Sequence, residues 1–301
     1  MLRGTSSPFL ALEIRAATKL CVQLLRRPRI LLDATTKRSS LRDGIREALI
    51  QEFRLRRVFI RESLGFKICL NPQDSGISPI IGTLGWWEPL VTELFLTTIE
   101  QGQIVLDIGA NIGWFTLLAS RLVGRQGRIL SFEPEATNFA LLDKSIQANE
   151  FSNVSAFPIA VGDFDGEELL YLAAEPGLHS TYRHLGPSIR VKTCKVDSII
   201  EERGVSKVDL MKVDVEGAEP RVIEGALQSI QQGRIDRIVM EWNPDSWYDK
   251  GEALRTLSRS YRAYWIGHSQ SIQIPVGVFK EIDWNNLPTV DGNIYFRRFS
   301  N

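Results

Sequence analysis

Residues Ile104–Thr116 read Ile-Val-Leu-Asp-Ile-Gly-Ala-Asn-Ile-Gly-Trp-Phe-Thr. An apolar run closes on an acid, a glycine-bearing turn follows, and an amphipathic stretch begins. That order specifies a buried strand, Ile104–Ile108, feeding a helix, Gly113–Leu122, through a tight loop. Gly109 and Gly113 carry no Cβ, so the backbone there can turn sharply and come close to a ligand. The helix N-terminus behind them presents unpaired N–H groups and a positive dipole end, which suits a carboxylate. Asn111 sits between the two glycines, and their four-residue spacing does not meet the G-x-G-x-x-G of dinucleotide-binding turns. An NAD-dependent oxidoreductase on the same kind of sheet is disfavoured on that ground.

Outward from this stretch, strands and helices alternate as a parallel sheet requires. Arg128–Phe132 is the second strand and Asn138–Asn149 its helix; Val154–Val161 is the third strand. Glu168–Ala173 and Ile189–Lys195 then read as an antiparallel excursion around the polar loop Glu175–Ser188. Alternation resumes with Asp209–Val213, the helix Pro220–Ile230 and the strand Ile235–Trp242. Tyr261–Gly267, Ser271–Ile274 and Asn293–Phe299 supply closing strands. Before the first strand, Val58–Glu62 and Phe66–Leu70 read as a hairpin. A loop with Pro72, Gly76, Pro79, Gly82 and Gly85 follows, then a helix from about Leu90 to Glu100. Residues 1–54 read as two basic helices, Pro8–Leu25 and Leu41–Phe53, separated at Pro28. The expected organisation is therefore a helical extension over 1–54 and one α/β domain over 55–301.

In doubly wound sheets, ligands collect outside the carboxyl ends of the strands. Polar residues recur at those ends here. Asp107 closes the first strand beside the glycine turn. Glu133 closes the second in Ser-Phe-Glu-Pro, where a carboxylate can accept hydrogen bonds from both hydroxyls of a ribose. Asp163, in Ala-Val-Gly-Asp, reads either as an acceptor for an adenine amine or as the turn residue of Gly162-Asp-Phe-Asp-Gly166. The fourth strand continues as Asp209-Leu-Met-Lys-Val-Asp-Val-Glu-Gly-Ala-Glu219. Lys212, Asp214 and Glu216 alternate with apolar residues, which in an extended segment places all three on one side. Charges there are costly to desolvate without a use.

These four motifs occur in order, and together they resemble the FkbM-type methyltransferase family, from about Phe66 to Phe299, with Trp87-Glu-Pro89 as a further match. Asn111 stands where many S-adenosylmethionine (SAM) methyltransferases have glycine. The resemblance implies a class I fold: a doubly wound, mostly parallel seven-stranded sheet with an antiparallel C-terminal strand. It implies SAM as cofactor, with Asp107, Gly109, Asn111, Gly113, Glu133 and Asp163 around it. It also implies transfer of a methyl group to a hydroxyl of a sugar, glycan or secondary metabolite. A nitrogen, carboxyl or lipid acceptor, or a non-catalytic SAM-fold binding protein, are the alternatives.

Transfer to a hydroxyl needs a base. Asp214 is the expected base, with Glu216 in reserve and Lys212 anchoring them. A site without a resident metal is expected; the rival arrangement is Mg²⁺ on Asp214 and Glu216, with Glu241 as a third ligand. His179, in the variable loop, and Glu241-Trp-Asn243, after the fifth strand, are further candidates for the acceptor side.

Bulk properties set the outer bounds. Lys+Arg and Asp+Glu both number 36, and the formal net charge of zero gives no argument for nucleic-acid binding. The charge is uneven: residues 1–60 hold about 13 Lys/Arg against about 5 Asp/Glu, and the rest of the chain is acidic by that margin. The run Arg26-Arg27-Pro28-Arg29 reads as a solvated face. Cys21, Cys69 and Cys194 are too scattered for a disulfide framework or a zinc site. No stretch is long and apolar enough to span a membrane, and a cytoplasmic protein is the expectation.

Overall fold

The computed structural model describes residues 50–51, 53–54, 59–173, 179–183, 186–247, 251–267 and 279–299. The N-terminal helices expected over Pro8–Leu25 and most of Leu41–Phe53, the basic run at 26–29 and the strand Ser271–Ile274 lie outside them. The chain divides into two compact units. One holds residues up to Ser63 together with Cys69–Trp87, and the other Leu64–Ile68 with Glu88 onward.

The first unit contains the strand Ile60–Ser63 (β1) and a helix, Ile77–Leu84 (α1), where a loop is expected. Buried Asp74 explains that helix. Its two carboxylate oxygens accept the N–H groups of Gly76 and Ser78, each at 2.7 Å, which satisfies donors that a helix start leaves free. Pro79 falls in the first turn, where proline is tolerated. Gly82 lies against the Phe53 ring, in space that a Cβ would need.

The second unit is built on an eight-stranded sheet. Its strands are Ile104–Ile108 (β3), Arg128–Phe132 (β4), Val154–Phe157 (β5), Leu210–Val213 (β9), Arg237–Trp242 (β10), Tyr261–Gly267 (β11), Lys280–Glu281 (β12) and Gly292–Arg298 (β13), in the order β12-β11-β13-β10-β9-β3-β4-β5. From β10 to β5 neighbours run parallel; β13, β11 and β12 are antiparallel. The sheet thus has eight strands where seven are expected, the addition being the two-residue edge strand β12. Phe66–Cys69 (β2) precedes it in the chain.

The helices Pro89–Thr98 (α2), Trp114–Val123 (α3) and Ala136–Ala148 (α4) follow the expected alternation, and Val196–Glu202 (α5) is a helix that the sequence reading did not anticipate. A core of side chains such as Leu106, Leu130, Met211, Ile238 and Phe296 lies under 1–2 % exposed within this unit. Full burial of each such side chain stabilises by roughly 1.5–3 kcal/mol.

Two expected elements are broken. Val154–Val161 ends at Phe157, and Ala160–Gly162 (β6) joins Gly166–Tyr171 (β7) and Ser188–Lys195 (β8) in a separate three-stranded sheet of order β6-β8-β7. Pro158 accounts for the break, since its ring removes a ladder donor. The helix expected over Pro220–Ile230 is two short helices, Glu219–Glu224 (α6) and Leu227–Gln231 (α7). Between them Gly225 is pressed against the Gly162 carbonyl, where a Cβ would overlap it. No helix among the described residues is long and apolar enough to cross a membrane.

Candidate functional site

Strand order reverses at β3: β4 and β5 lie on one side, β9 and β10 on the other. Such a switch point leaves a crevice at the carboxyl ends of the strands. Register decides what borders it. Asp107 is paired with Ser131 of β4 on one side and Lys212 of β9 on the other, and Glu241 comes one residue after the Met240–Val213 pair.

On the β3–β4 side each acid is held by local donors. Asp107 is fully buried; its Oδ2 accepts the Thr116 hydroxyl at 2.6 Å, and Thr116 lies 2.7 Å from Ser131 Oγ. Burial pushes the Asp107 carboxyl above its ordinary range, against the pull of Lys212. Glu133 is 6 % exposed. Its Oε2 accepts the Asn111 N–H at 2.8 Å and its Oε1 the Glu135 N–H at 2.9 Å. Burial still pushes it up to about 7, over the opposing effect of those bonds. The turn between is left-handed at Gly109 (φ +76°), Asn111 (φ +50°) and Gly113 (φ +98°). A Cβ on Gly109 would overlap the carbonyl oxygen of Asp214, so the turn lies directly against the end of β9.

On the β9–β10 side the acids converge from distant segments. β9 ends at Val213, earlier than the alternation of Lys212, Asp214 and Glu216 requires. Lys212 Nζ still reaches Asp214 Oδ2 at 2.8 Å and sits 4.9 Å from the centre of the Phe115 ring. Burial opposes the Lys212 charge, but Asp214, Asp107 and Glu88 outweigh it and hold the ammonium above its usual range. Glu216 arrives through a left-handed backbone (φ +54°) rather than by strand alternation. One carboxylate oxygen each of Asp214, Glu216 and Glu241 lies within 4.8 Å of the other two. Burial first, then mutual repulsion, raises Glu216 to about 8 and moves Glu241 well upward.

Sequence reasoning missed three participants. Glu219 is fully buried, and its Oε1 accepts the N–H groups of Val215 and Gly217 at 3.0 Å, pinning the turn that carries Glu216. Glu88, with φ +40°, lies at the start of α2 and acts electrostatically on Lys212, Glu216 and Glu241. Arg183 approaches Glu216 Oε2 at 3.5 Å. Glu88 and Glu219 both sit in the quoted motifs, so a signal existed; Arg183 had none.

Asp163 is placed apart. It follows β6 of the smaller sheet, and Arg221 Nε and Nη2 donate to its Oδ1 at 2.9 and 2.8 Å. His179 Nδ1 accepts the Ala173 N–H at 3.0 Å, and burial lowers the imidazole. Trp242 is buried and stacks on Trp247 at 5.3 Å.

A switch-point crevice over a doubly wound sheet, bordered by a glycine turn and strand-end acids, is the ligand site of a nucleotide-binding α/β fold. The chain belongs to the family of the methyltransferase FkbM domain, whose model matches residues 107–264. Methyltransferase 1 of Beauveria bassiana is 30% identical over 161 residues, covering 46% of this chain and 64% of the relative. The hexuronic acid methyltransferase AglP of Haloferax volcanii is 26% identical, covering 50% and 60%. The 31-O-demethyl-FK506 methyltransferase FkbM of Streptomyces tacrolimicus is 27% identical, covering 48% and 66%. The chain thus spans 60–66% of the length of these relatives, less than two thirds. Among solved structures, a SAM-dependent O-methyltransferase from Thermotoga maritima matches with a TM-score of 0.38 and 11% identity, covering 71% of this chain and 65% of that one.

Proposed function

We propose that this protein transfers a methyl group from SAM to a hydroxyl of a sugar, glycan or related small molecule. The observation that carries the reading is the contact of the Gly109 turn with the Asp214 carbonyl, which makes cofactor loop and acid cluster neighbours. The residues fit the cofactor. Each Glu133 oxygen accepts one backbone N–H, and a carboxylate has about four lone-pair sites, so both oxygens retain capacity for ribose hydroxyls. Asp107, Gly109, Asn111 and Gly113 frame the same edge, while Asp163 is held by Arg221 beside the smaller sheet. When bound, the sulfonium supplies an activated methyl carbon.

The chain's own residues then orient and deprotonate. Lys212 fixes one oxygen of Asp214, leaving the other to accept the proton of an acceptor hydroxyl. Such a base contributes roughly 10²–10⁴-fold, and alignment of the two reactants about 7–11 kcal/mol. A sugar acceptor draws support from the Haloferax relative, a hexuronic acid methyltransferase. The domain division at residue 54 and an intracellular setting belong to the same reading.

Calorimetry with SAM and its demethylated product tests the cofactor. Mass spectrometry of glycans and metabolites from cells with and without the protein tests the acceptor, through a gain of one methyl group. Protein that binds neither compound ends the reading.

A further inference from the structure

We infer that Asp214, Glu216 and Glu241 form a binding site for one hard divalent cation. The role of that cation in catalysis rests on the methyl-transfer reading; its binding does not.

The three residues come from different places in the chain: the end of β9, the left-handed turn after it, and the penultimate residue of β10. One carboxylate oxygen of each lies within 4.8 Å of the other two. Opposite oxygen ligands on a Ca²⁺-sized ion stand roughly 4.6–5.2 Å apart, and on Mg²⁺ about 4.0–4.2 Å. Separations within that bound admit ligands of one hard divalent ion, Ca²⁺ or the smaller Mg²⁺.

Two further observations point to a missing positive partner. Glu241 Oε2 is enclosed by protein and has no hydrogen-bond partner among the described residues. Glu219 Oε2, on a fully buried residue behind the Glu216 turn, is in the same condition, and its charge acts on Asp214, Glu216 and Glu241. An enclosed carboxylate oxygen without a donor is costly unless a proton or an ion completes it. The cations nearby are already engaged: Lys212 with Asp214 at 2.8 Å, and Arg183 with Glu216 at 3.5 Å. Oxygen-only ligands with no histidine or cysteine select a hard ion such as Mg²⁺, Mn²⁺ or Ca²⁺ over zinc or copper.

The cation gives the acceptor side a second way to activate a hydroxyl. The acceptor oxygen binds the ion and becomes more acidic, and its proton passes to solvent. A carbon–oxygen bond then forms as the carbon–sulfur bond of the sulfonium breaks, leaving a neutral thioether. Asp214 on this account holds the ion instead of taking the proton.

The test is titration of Mn²⁺ alone into the full chain without SAM, followed by the loss of the free-ion EPR signal. The expected result is one equivalent per chain, displaced by Mg²⁺ or Ca²⁺, with affinity at least tenfold weaker in Glu241→Gln and in Glu216→Gln. Glu216→Gln guards against a folding failure in Glu241→Gln, and thermal melting checks both. Absent or non-saturable binding overturns the site, as does binding that both variants leave unchanged. Methyl transfer is then assayed separately, with SAM in excess chelator. Full activity there removes the catalytic role and leaves the methyltransferase reading intact. Mn²⁺ binding without any transfer from SAM does the reverse.

Discussion

The two flanks of the switch point hold their acids in opposite ways. On the β3–β4 flank the donors are local: Thr116 for Asp107, whose other oxygen is buried without a partner among the described residues, and for Glu133 the Asn111 N–H of the neighbouring turn with the Glu135 N–H. On the β9–β10 flank, Asp214, Glu216 and Glu219 of one short segment meet Glu88 and Glu241 from two others; Lys212 donates to Asp214, and Glu219 accepts the N–H groups of Val215 and Gly217. The first arrangement is held by local donors, which suits the cofactor side of the proposed reaction. The second crowds carboxyls together, with Glu216, Glu219 and Glu241 pushed upward by burial and repulsion, which suits a proton, a cation or a hydroxyl that comes and goes. Perturbed acids of this kind mark a reacting site more often than a scaffold.

Gly109 joins the flanks, and changing it has the largest expected effect. Gly109→Ala brings a Cβ into the Asp214 carbonyl at a backbone angle alanine resists. Overpacking and left-handed strain together cost about 3–5 kcal/mol. Urea unfolding is expected to show that loss, and whatever folded protein remains should lose SAM binding and turnover together. If only one of the two falls, the flanks are independent.

Asp214→Asn should separate them. Methyl transfer is expected to drop by roughly 10²–10⁴-fold, while SAM affinity by calorimetry stays within about threefold, because no donor of the cofactor turn is touched. A parallel fall in affinity would mean that the acid belongs to the cofactor side.

Glu133 tests the other flank, through both affinity and pH. Glu133→Ala is expected to weaken SAM about 10–100-fold, the worth of charge-assisted hydrogen bonds. Its folded carboxyl lies at about 7 against an ordinary 4.5. The folded state therefore holds its proton longer than the unfolded one. The stability this gives is complete below pH 4.5 and is lost as pH rises to about 7, a change of about 3 kcal/mol. Denaturant unfolding at pH 4.5 and pH 8 should show a smaller loss in Glu133→Gln than in the unaltered protein. Equal losses would mean that Glu133 ionises without cost.

The same contrast explains what could be read from sequence. The turn Asp107–Gly113 was legible because Asp107 and Thr116 lie within one strand–turn–helix unit, where spacing fixes geometry; Glu133 was legible as a strand-end acid, although its bond to Asn111 joins two such units. Lys212 and Asp214 were legible as a pair, but Glu216 was reached for the wrong reason: the strand stops at Val213, and a left-handed residue, not alternation, turns its side chain inward. Glu88 and Arg183 join through tertiary folding across stretches that no local period links. The helix Ile77–Leu84 hid behind Pro79 and Gly82, both breakers elsewhere, because its cap, Asp74, acts from outside it. The split after Phe157 moved Asp163 to another sheet, and only the pairing of β6 with β8 reveals that.

The smallest effect tests whether Arg183 serves structure or acceptor. Its ion pair with Glu216 spans 3.5 Å, with the side chains 32 % and 17 % exposed, and such pairs contribute at most about 1 kcal/mol. The segment is fixed instead by Ser180, whose buried hydroxyl donates to the Glu216 carbonyl and accepts the N–H groups of Tyr182 and Arg183. Ser180→Ala strands those groups and should cost about 1–3 kcal/mol, visible as a lower melting temperature. Arg183→Ala should leave melting nearly unchanged and raise KM for the acceptor a few-fold at constant kcat, since the guanidinium borders the acid cluster without holding the loop. Should Arg183→Ala destabilise as much as Ser180→Ala, the arginine is a strut, and acceptor recognition belongs to the carboxylates alone.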